Sequence, residues 1–120
     1  MTKPFVIVIA GPTGVGKTTL AMMLSKHYGC PLISEDKMAR KMFPNMYQNI
    51  EDYPDKVMLI VNQLYKETKE YFDDKKCVVI DRINLEKEFI EKMQKTFHRH
   101  LILKVLWPPI EITVERDRKR

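Results

Sequence analysis

The chain alternates short apolar runs with longer segments in which apolar residues recur at three- and four-residue steps. Phe5-Val6-Ile7-Val8-Ile9-Ala10 is apolar throughout and largely β-branched, the form of a strand covered on both faces of a parallel sheet. From Lys17 to Tyr28, Leu20, Met23, Leu24 and His27 fall at helical spacing, and Gly29 follows as a C-terminal stop. Pro31-Leu32-Ile33-Ser34 predicts a short second strand, and a helix follows from Glu35 to Phe43, stopped by Pro44. Residues 45–53 are polar and irregular. Pro54 suits a first helical turn, and Val57, Ile60, Val61, Leu64, Thr68, Tyr71 and Phe72 then mark one face of a long helix reaching about Asp74. Cys77-Val78-Val79-Ile80 predicts a strand ending at Asp81. Beyond it, Leu85, Phe89, Met93 and Phe97 lie four apart on a helix to about His98. Leu101–Trp107 predicts the last strand, Pro108-Pro109 breaks it, and the chain reads as helical from Ile110 onward.

Four strands, each followed by a helix, call for parallel pairing through crossover connections. The expectation is an α/β fold, a three-layer α/β/α sandwich with a parallel sheet, in one domain over residues 1–120. Because the chain ends inside a charged helix, where folds of this kind continue to a fifth strand, it is expected to be truncated before the last strand.

Composition narrows the classes. A chain of 120 residues, 44% hydrophobic and 31% charged, with 4 Gly and 7 Pro, is neither collagen-like nor low-complexity nor wholly disordered. No apolar run approaches the ~20 residues needed to cross a bilayer, and no secretory signal pattern is present. The expectation is a cytoplasmic protein with no membrane partner. Cys30 and Cys77 have no metal-ligand or redox-motif spacing and read as two ordinary buried thiols of a reducing cytosol. Met22, Met23, Met38, Met42, Met46, Met58 and Met93 read mainly as packing residues. His27, His98 and His100 are scattered and suggest no metal constellation. Of the net charge of +5, three units sit in Arg116-Asp117-Arg118-Lys119-Arg120. A general nucleic-acid-binding surface is therefore not indicated, whereas a local anion contact near the C-terminus is.

Gly11-Pro12-Thr13-Gly14-Val15-Gly16-Lys17-Thr18 fits G-x-x-x-x-G-K-[ST], with an apolar strand before it and an amphipathic helix after it. Backbone amides ring a triphosphate where no Cβ intrudes, hence the glycines at 11, 14 and 16. The helix that starts near Lys17 aims its dipole and unpaired amides at the same phosphates. Lys17 supplies a cation to the β- and γ-phosphates, and the Thr18 hydroxyl is placed to ligate Mg²⁺. Gly11, Pro12, Thr13, Gly14, Val15, Gly16, Lys17, Thr18 and Thr19 are the candidate ATP-binding residues. Asp81, at the end of an apolar strand, has the position of a Walker B aspartate for Mg²⁺. Motor-type ATPases place a water-activating glutamate next, and here that residue is Arg82, which favours transfer to a bound acceptor. Ile33-Ser34-Glu35-Asp36 ends a strand at the ligand-facing edge of such a sheet, where a carboxylate can act as general base. The competing reading is that Ser34 and Asp36 cap a helix.

These segments, with Val79-Ile80-Asp81-Arg82-Ile83-Asn84-Leu85 and Glu115-Arg116-Asp117-Arg118-Lys119-Arg120, occur in the order seen in small P-loop kinases. The chain resembles the polynucleotide-kinase-like or zeta-toxin-like group, also called AAA-domain kinases. The resemblance implies that Asp36 is the base, that Asp81 contacts acceptor or metal, and that Asn84 positions the acceptor. It also implies that Arg116 and Arg120 stabilise charge on the transferred phosphoryl group from a lid only begun at the C-terminus. The family arginine three residues after the aspartate is Ala39 here, with Lys37 and Arg40 as stand-ins.

The expected activity is transfer of the γ-phosphoryl group of ATP to a hydroxyl acceptor: a nucleic-acid 5′-end, a nucleoside or a small molecule. Alternatives are a P-loop nucleotide-binding module or an ATPase without acceptor phosphorylation. A tRNA prenyltransferase, which uses a similar loop, would be far longer and carries a different aspartate motif.

Overall fold

The computed structural model describes residues 4–12, 16–45, 53–83 and 86–106. The strand Val6–Ala10 (β1) is buried at every position. It is followed by Lys17–Tyr28 (α1), Leu32–Ser34 (β2), Glu35–Met42 (α2), Tyr53–Asp73 (α3), Val78–Arg82 (β3), Lys87–Phe97 (α4), a 3-10 turn at His98–His100, and Leu101–Val105 (β4). The strands form one parallel sheet in the order β2-β3-β1-β4. The expected α/β sandwich is therefore present. Met46, Trp107 and the helix expected from Ile110 lie outside the described residues.

Alternation of side chains along the strands builds two cores. Val6, Val8, Val78 and Ile80 face α3 and α4, meeting Leu64, Phe89, Met93 and Phe97. Ile7, Ile9 and Val79 face the other way, against Ala21 of α1. The small Ala21 lets α1 lie close on the sheet, and this shifts its buried stripe from the expected one. Leu20 and Leu24 pack as expected, but Met23 is 63% exposed. Met22 and Met58 are also exposed, so packing accounts for Met93, Met38 and Met42 but not for those three. Gly29 ends α1 in the left-handed conformation, and Cys30 N–H returns to the Ser25 carbonyl at 2.9 Å.

The reading of two separate thiols is overturned: Cys30 and Cys77 form a disulfide, with Cα atoms 5.2 Å apart. The register explains it. β2 pairs with β3 through Leu32↔Val79 and Ile33↔Ile80, an offset of 47 residues, and the cysteines are separated by the same 47. They are cross-strand neighbours at the N-terminal entrance of the sheet, remote in sequence and adjacent once these strands pair. The cysteines thus give no support to a reducing compartment. No helix among the described residues is long and apolar enough to cross a membrane.

Closing a loop of this length restricts the unfolded chain by up to about 4 kcal/mol in the chain-entropy account. Denaturant unfolding with and without dithiothreitol should show reduction lowering the unfolding free energy, and Cys77→Ser should match the reduced protein. An oxidised sample that titrates with free thiols would contradict the cross-link.

Candidate functional site

The loop after β1 leaves the sheet at Gly11, whose N–H donates to the Arg82 carbonyl at 3.3 Å. A Cβ here would lie 2.4 Å from the Leu106 carbonyl oxygen, and φ is +154°, so the backbone of β4's exit requires glycine at this point. Gly16 re-enters the fold at φ 85° as the N-cap of α1, with no side chain capping the helix. The first helical bond runs from Leu20 N–H to the Gly16 carbonyl at 3.0 Å. The amides of Lys17, Thr18 and Thr19 therefore have no partner within the helix, and no acidic residue stands in the first turn. Thr13, Gly14 and Val15 lie outside the described residues.

β3 lies beside β1 with Ile9↔Asp81 in register, which sets Asp81 directly under this helix start. Lys17 Nζ is 3.0 Å from Asp81 Oδ1, and Thr18 Oγ1 donates to Asp81 Oδ2 at 3.1 Å. Both charged side chains are at most a tenth exposed. Asp81 Oδ1 is buried and has close approach from the ammonium but no contact with hydrogen-bond geometry. Asp81 thus meets both Thr18 and Lys17 at the start of α1, and the Lys17 ammonium balances the carboxylate charge.

A cleft of about 380 Å³ opens beside this cluster, lined by Lys17, Thr18, Ser34, Asp36, Arg40 and Asp81, among others. Three chain segments, the start of α1, the β2–α2 junction and the end of β3, thus line one space. Ser34 does cap α2, accepting from Lys37 N–H at 3.4 Å. Asp36 borders the cleft half-exposed and pairs with Arg40 at 3.2 Å. Asn84, Arg116 and Arg120 lie outside the described residues.

Sequence reasoning missed a second cluster at the same strand ends. Arg82, read only as the absence of a glutamate, is fully buried. Its guanidinium pairs with Glu35 and, at 2.9 Å, with Glu86, and its Cζ lies 3.9 Å from the centre of the Phe89 ring. Nη1 has no partner among the described residues. Burial raises the Glu35 pKa above the ordinary 4.5, outweighing the lowering effect of Arg82, with Glu86 adding to the rise and Lys17 opposing it. The i,i+4 spacing of Arg82 and Glu86 was visible beforehand; the partner Glu35 was not.

Fold and site together define a P-loop protein of the kinase-like kind, with a parallel sheet, a bare helix N-terminus and a strand-end aspartate beside it. The AAA-domain family matches residues 6–120, and the chain belongs to that family. It is 33% identical over 112 residues to the deoxyguanosine kinase of Bacillus subtilis, a match covering 81% of this chain and 54% of that protein. It is 32% identical over 98 residues to the tRNA dimethylallyltransferase of Flavobacterium psychrophilum, covering 82% of this chain and 30% of the other. The chain thus spans about half the length of the first relative and under a third of the second. Among solved structures, the Pnkp1/Rnl/Hen1 RNA repair complex superposes with a TM-score of 0.72 at 20% identity, over 100% of this chain and 38% of that one. This likeness shows the fold.

A carboxyl whose pKa is raised on folding binds its proton more tightly in the native state. Its contribution is therefore full below about 4.5 and is lost as pH rises through the raised native value. Unfolding free energy measured across the acid range should fall with rising pH in that window, and Glu35→Gln should remove this component. An unchanged slope in the variant would place the titration elsewhere.

Proposed function

We propose that this chain is the nucleotide-binding part of an ATP- and Mg²⁺-dependent phosphotransferase that moves the γ-phosphoryl group of ATP to a hydroxyl acceptor. The observation that carries the reading is the buried Lys17–Asp81–Thr18 cluster beneath the first amides of α1, which have no partner within the helix. Those amides and the Lys17 ammonium suit a polyphosphate, since both place positive charge where phosphate oxygens gather. The residues fit Mg²⁺ as well: Asp81 supplies a buried carboxylate, and the Thr18 hydroxyl stands next to it. Bound there, Mg²⁺ would supply charge neutralisation on the phosphates.

The acceptor side rests on Asp36, which lines the same cleft as Lys17 and is assigned the general-base role. Arg40 holds Asp36 at rest and is freed to meet an acceptor. Glu35 is the second carboxylate near the cluster, and burial raises its pKa above the ordinary carboxylate value. Asn84, Arg116 and Arg120 keep the acceptor- and phosphoryl-contacting roles given by family resemblance. The kinase relatives support the reaction class, with a nucleic-acid end, a nucleoside or a small hydroxyl compound as acceptor, and the reaction is proposed to run in the cytoplasm.

Calorimetry with Mg²⁺ and ATP should give a binding isotherm that Lys17→Ala abolishes; near-native affinity in that variant would remove the cradle. In a phosphoryl-transfer screen, Asp36→Asn should keep ATP affinity and lose turnover by ~10²-fold or more. A larger loss in Glu35→Gln with little change in Asp36→Asn would transfer the base role to Glu35. Phosphate release without acceptor would identify an ATPase, and binding without any product a nucleotide-binding module.

A further inference from the structure

At the end of the sheet away from Lys17 and Asp81, a cavity of about 480 Å³ reaches the Cys30–Cys77 cross-link. Cys77 lines it half-buried, whereas Cys30 is 5% exposed and belongs to the core around Ala21. Phe5, Tyr28 and His27 form an aromatic wall, with Tyr28 packed edge-on at 5.2 Å from Phe5 and 4.7 Å from His27. Beyond α3, Lys75 takes the left-handed conformation, and the N–H groups of Lys75 and Lys76 return to the Phe72 and Tyr71 carbonyls at 3.0 and 2.9 Å. That turn sets both lysines at the cavity next to Cys77. Lys76 pairs with Asp74 at 3.4 Å, while Lys75 has no ion-pair partner among the described residues. The described lining contains no carboxylate. One accessible sulfur, cationic neighbours and an aromatic wall suit a small thiol that carries negative charge.

The bridge has mechanical reach. β2 is three residues long and pairs only with β3. Its ends are fastened by the bridge and by the Glu35–Arg82 ion pair. With the bridge open, the entrance of β2 is held by its backbone pairing alone, including Val79 N–H to the Pro31 carbonyl at 3.0 Å. α2 begins directly after β2 and carries Asp36 to the cleft, so it shares in any loosening. Lys17 and Thr18 keep their contacts with Asp81, which do not pass through β2.

We propose that the Cys30–Cys77 bridge is a redox switch worked from this cavity: an anionic thiol seated there opens it at Cys77, releasing β2 and weakening acceptor phosphorylation while the donor site is kept. The incoming thiolate bonds to Cys77 Sγ, the Cys77–Cys30 bond breaks, and Cys30 Sγ leaves with the electron pair and takes a proton from water. A second thiolate attacks the mixed disulfide, departs joined to the first thiol, and leaves Cys77 as a thiol. Two small thiols are oxidised to one disulfide as the bridge is reduced, and the small disulfide reverses the exchange. The effect on turnover rests on the phosphotransfer reading; the opening and the release of β2 do not.

The test treats the full oxidised chain with glutathione, an anionic thiol, or with cysteamine, a cationic one, at matched thiolate concentration. After trapping by alkylation, mass spectrometry should find the glutathione adduct on Cys77. Glutathione should open the bridge about tenfold faster than cysteamine, and Lys75→Glu should remove that preference. In the opened protein, amide exchange should quicken about tenfold or more at Leu32–Ser34 and along α2, and hold at β1 and the first turn of α1. ATP affinity should hold, while phosphorylation of deoxyguanosine or of a 5′-hydroxyl oligonucleotide falls about tenfold and returns with oxidised glutathione. Cys77→Ser should reproduce the opened state with no thiol added. Equal rates for the two thiols, an adduct on Cys30, or exchange that quickens throughout the chain or nowhere overturns the proposal. Equal phosphorylation in both states removes the switch and leaves the kinase reading intact. Selective opening with local loosening, and no acceptor phosphorylated in either state, keeps the thiol-operated release of β2 and removes the kinase reading.

Discussion

The structure turns on a carboxylate that is almost wholly withdrawn from water. Asp81 sits at the end of β3, beside the central strand, where an unpaired charge would be strongly destabilising. The Lys17 ammonium at 3.0 Å and the Thr18 hydroxyl at 3.1 Å make that position tolerable. Both partners come from the first turn of α1, whose own amides remain uncapped. One arrangement thus holds the helix start against the strand end and leaves a concentration of positive potential facing outward. Loss of any member leaves the others buried without compensation.

A single register offset organises much of the rest. The 47-residue step that pairs Leu32 with Val79 also brings Cys30 to Cys77 at one end of the strands. Carried to the other end, the same step brings Glu35 to Arg82. The cross-link and the buried ion pair therefore fasten β2 to β3 at opposite ends of a strand only three residues long. Firm placement of so short an edge strand matters because α2 starts directly from it. Through α2 it sets the positions of Asp36, Lys37, Arg40 and Lys41 relative to Lys17.

What was legible in the sequence was local. The glycine-rich loop, its flanking strand and helix, and the strand-end aspartate are read from adjacent residues, and α3 and α4 declare their buried faces by period. What escaped depended on pairing between distant segments. The cysteines show no motif spacing, and only the β2–β3 register reveals them as partners. Arg82 looked like an absence because arginine is seldom wholly buried, whereas here two glutamates and the Phe89 ring take up its charge. Met23 was misplaced because α1 turns Ala21, a less conspicuous residue, toward the sheet. Glu35 and Asp36 are adjacent on a helix and so point in different directions, and composition alone does not say which one meets the cleft.

The central claim is that the amides at the start of α1, with Lys17, receive a polyphosphate. Amide-resolved NMR of the labelled protein, titrated with Mg²⁺ and ATP, tests it most directly. The account predicts saturable shifts that are largest for Gly16, Lys17, Thr18 and Thr19, accompanied by Asp81. Shifts concentrated elsewhere, with these amides unmoved at saturation, would contradict it.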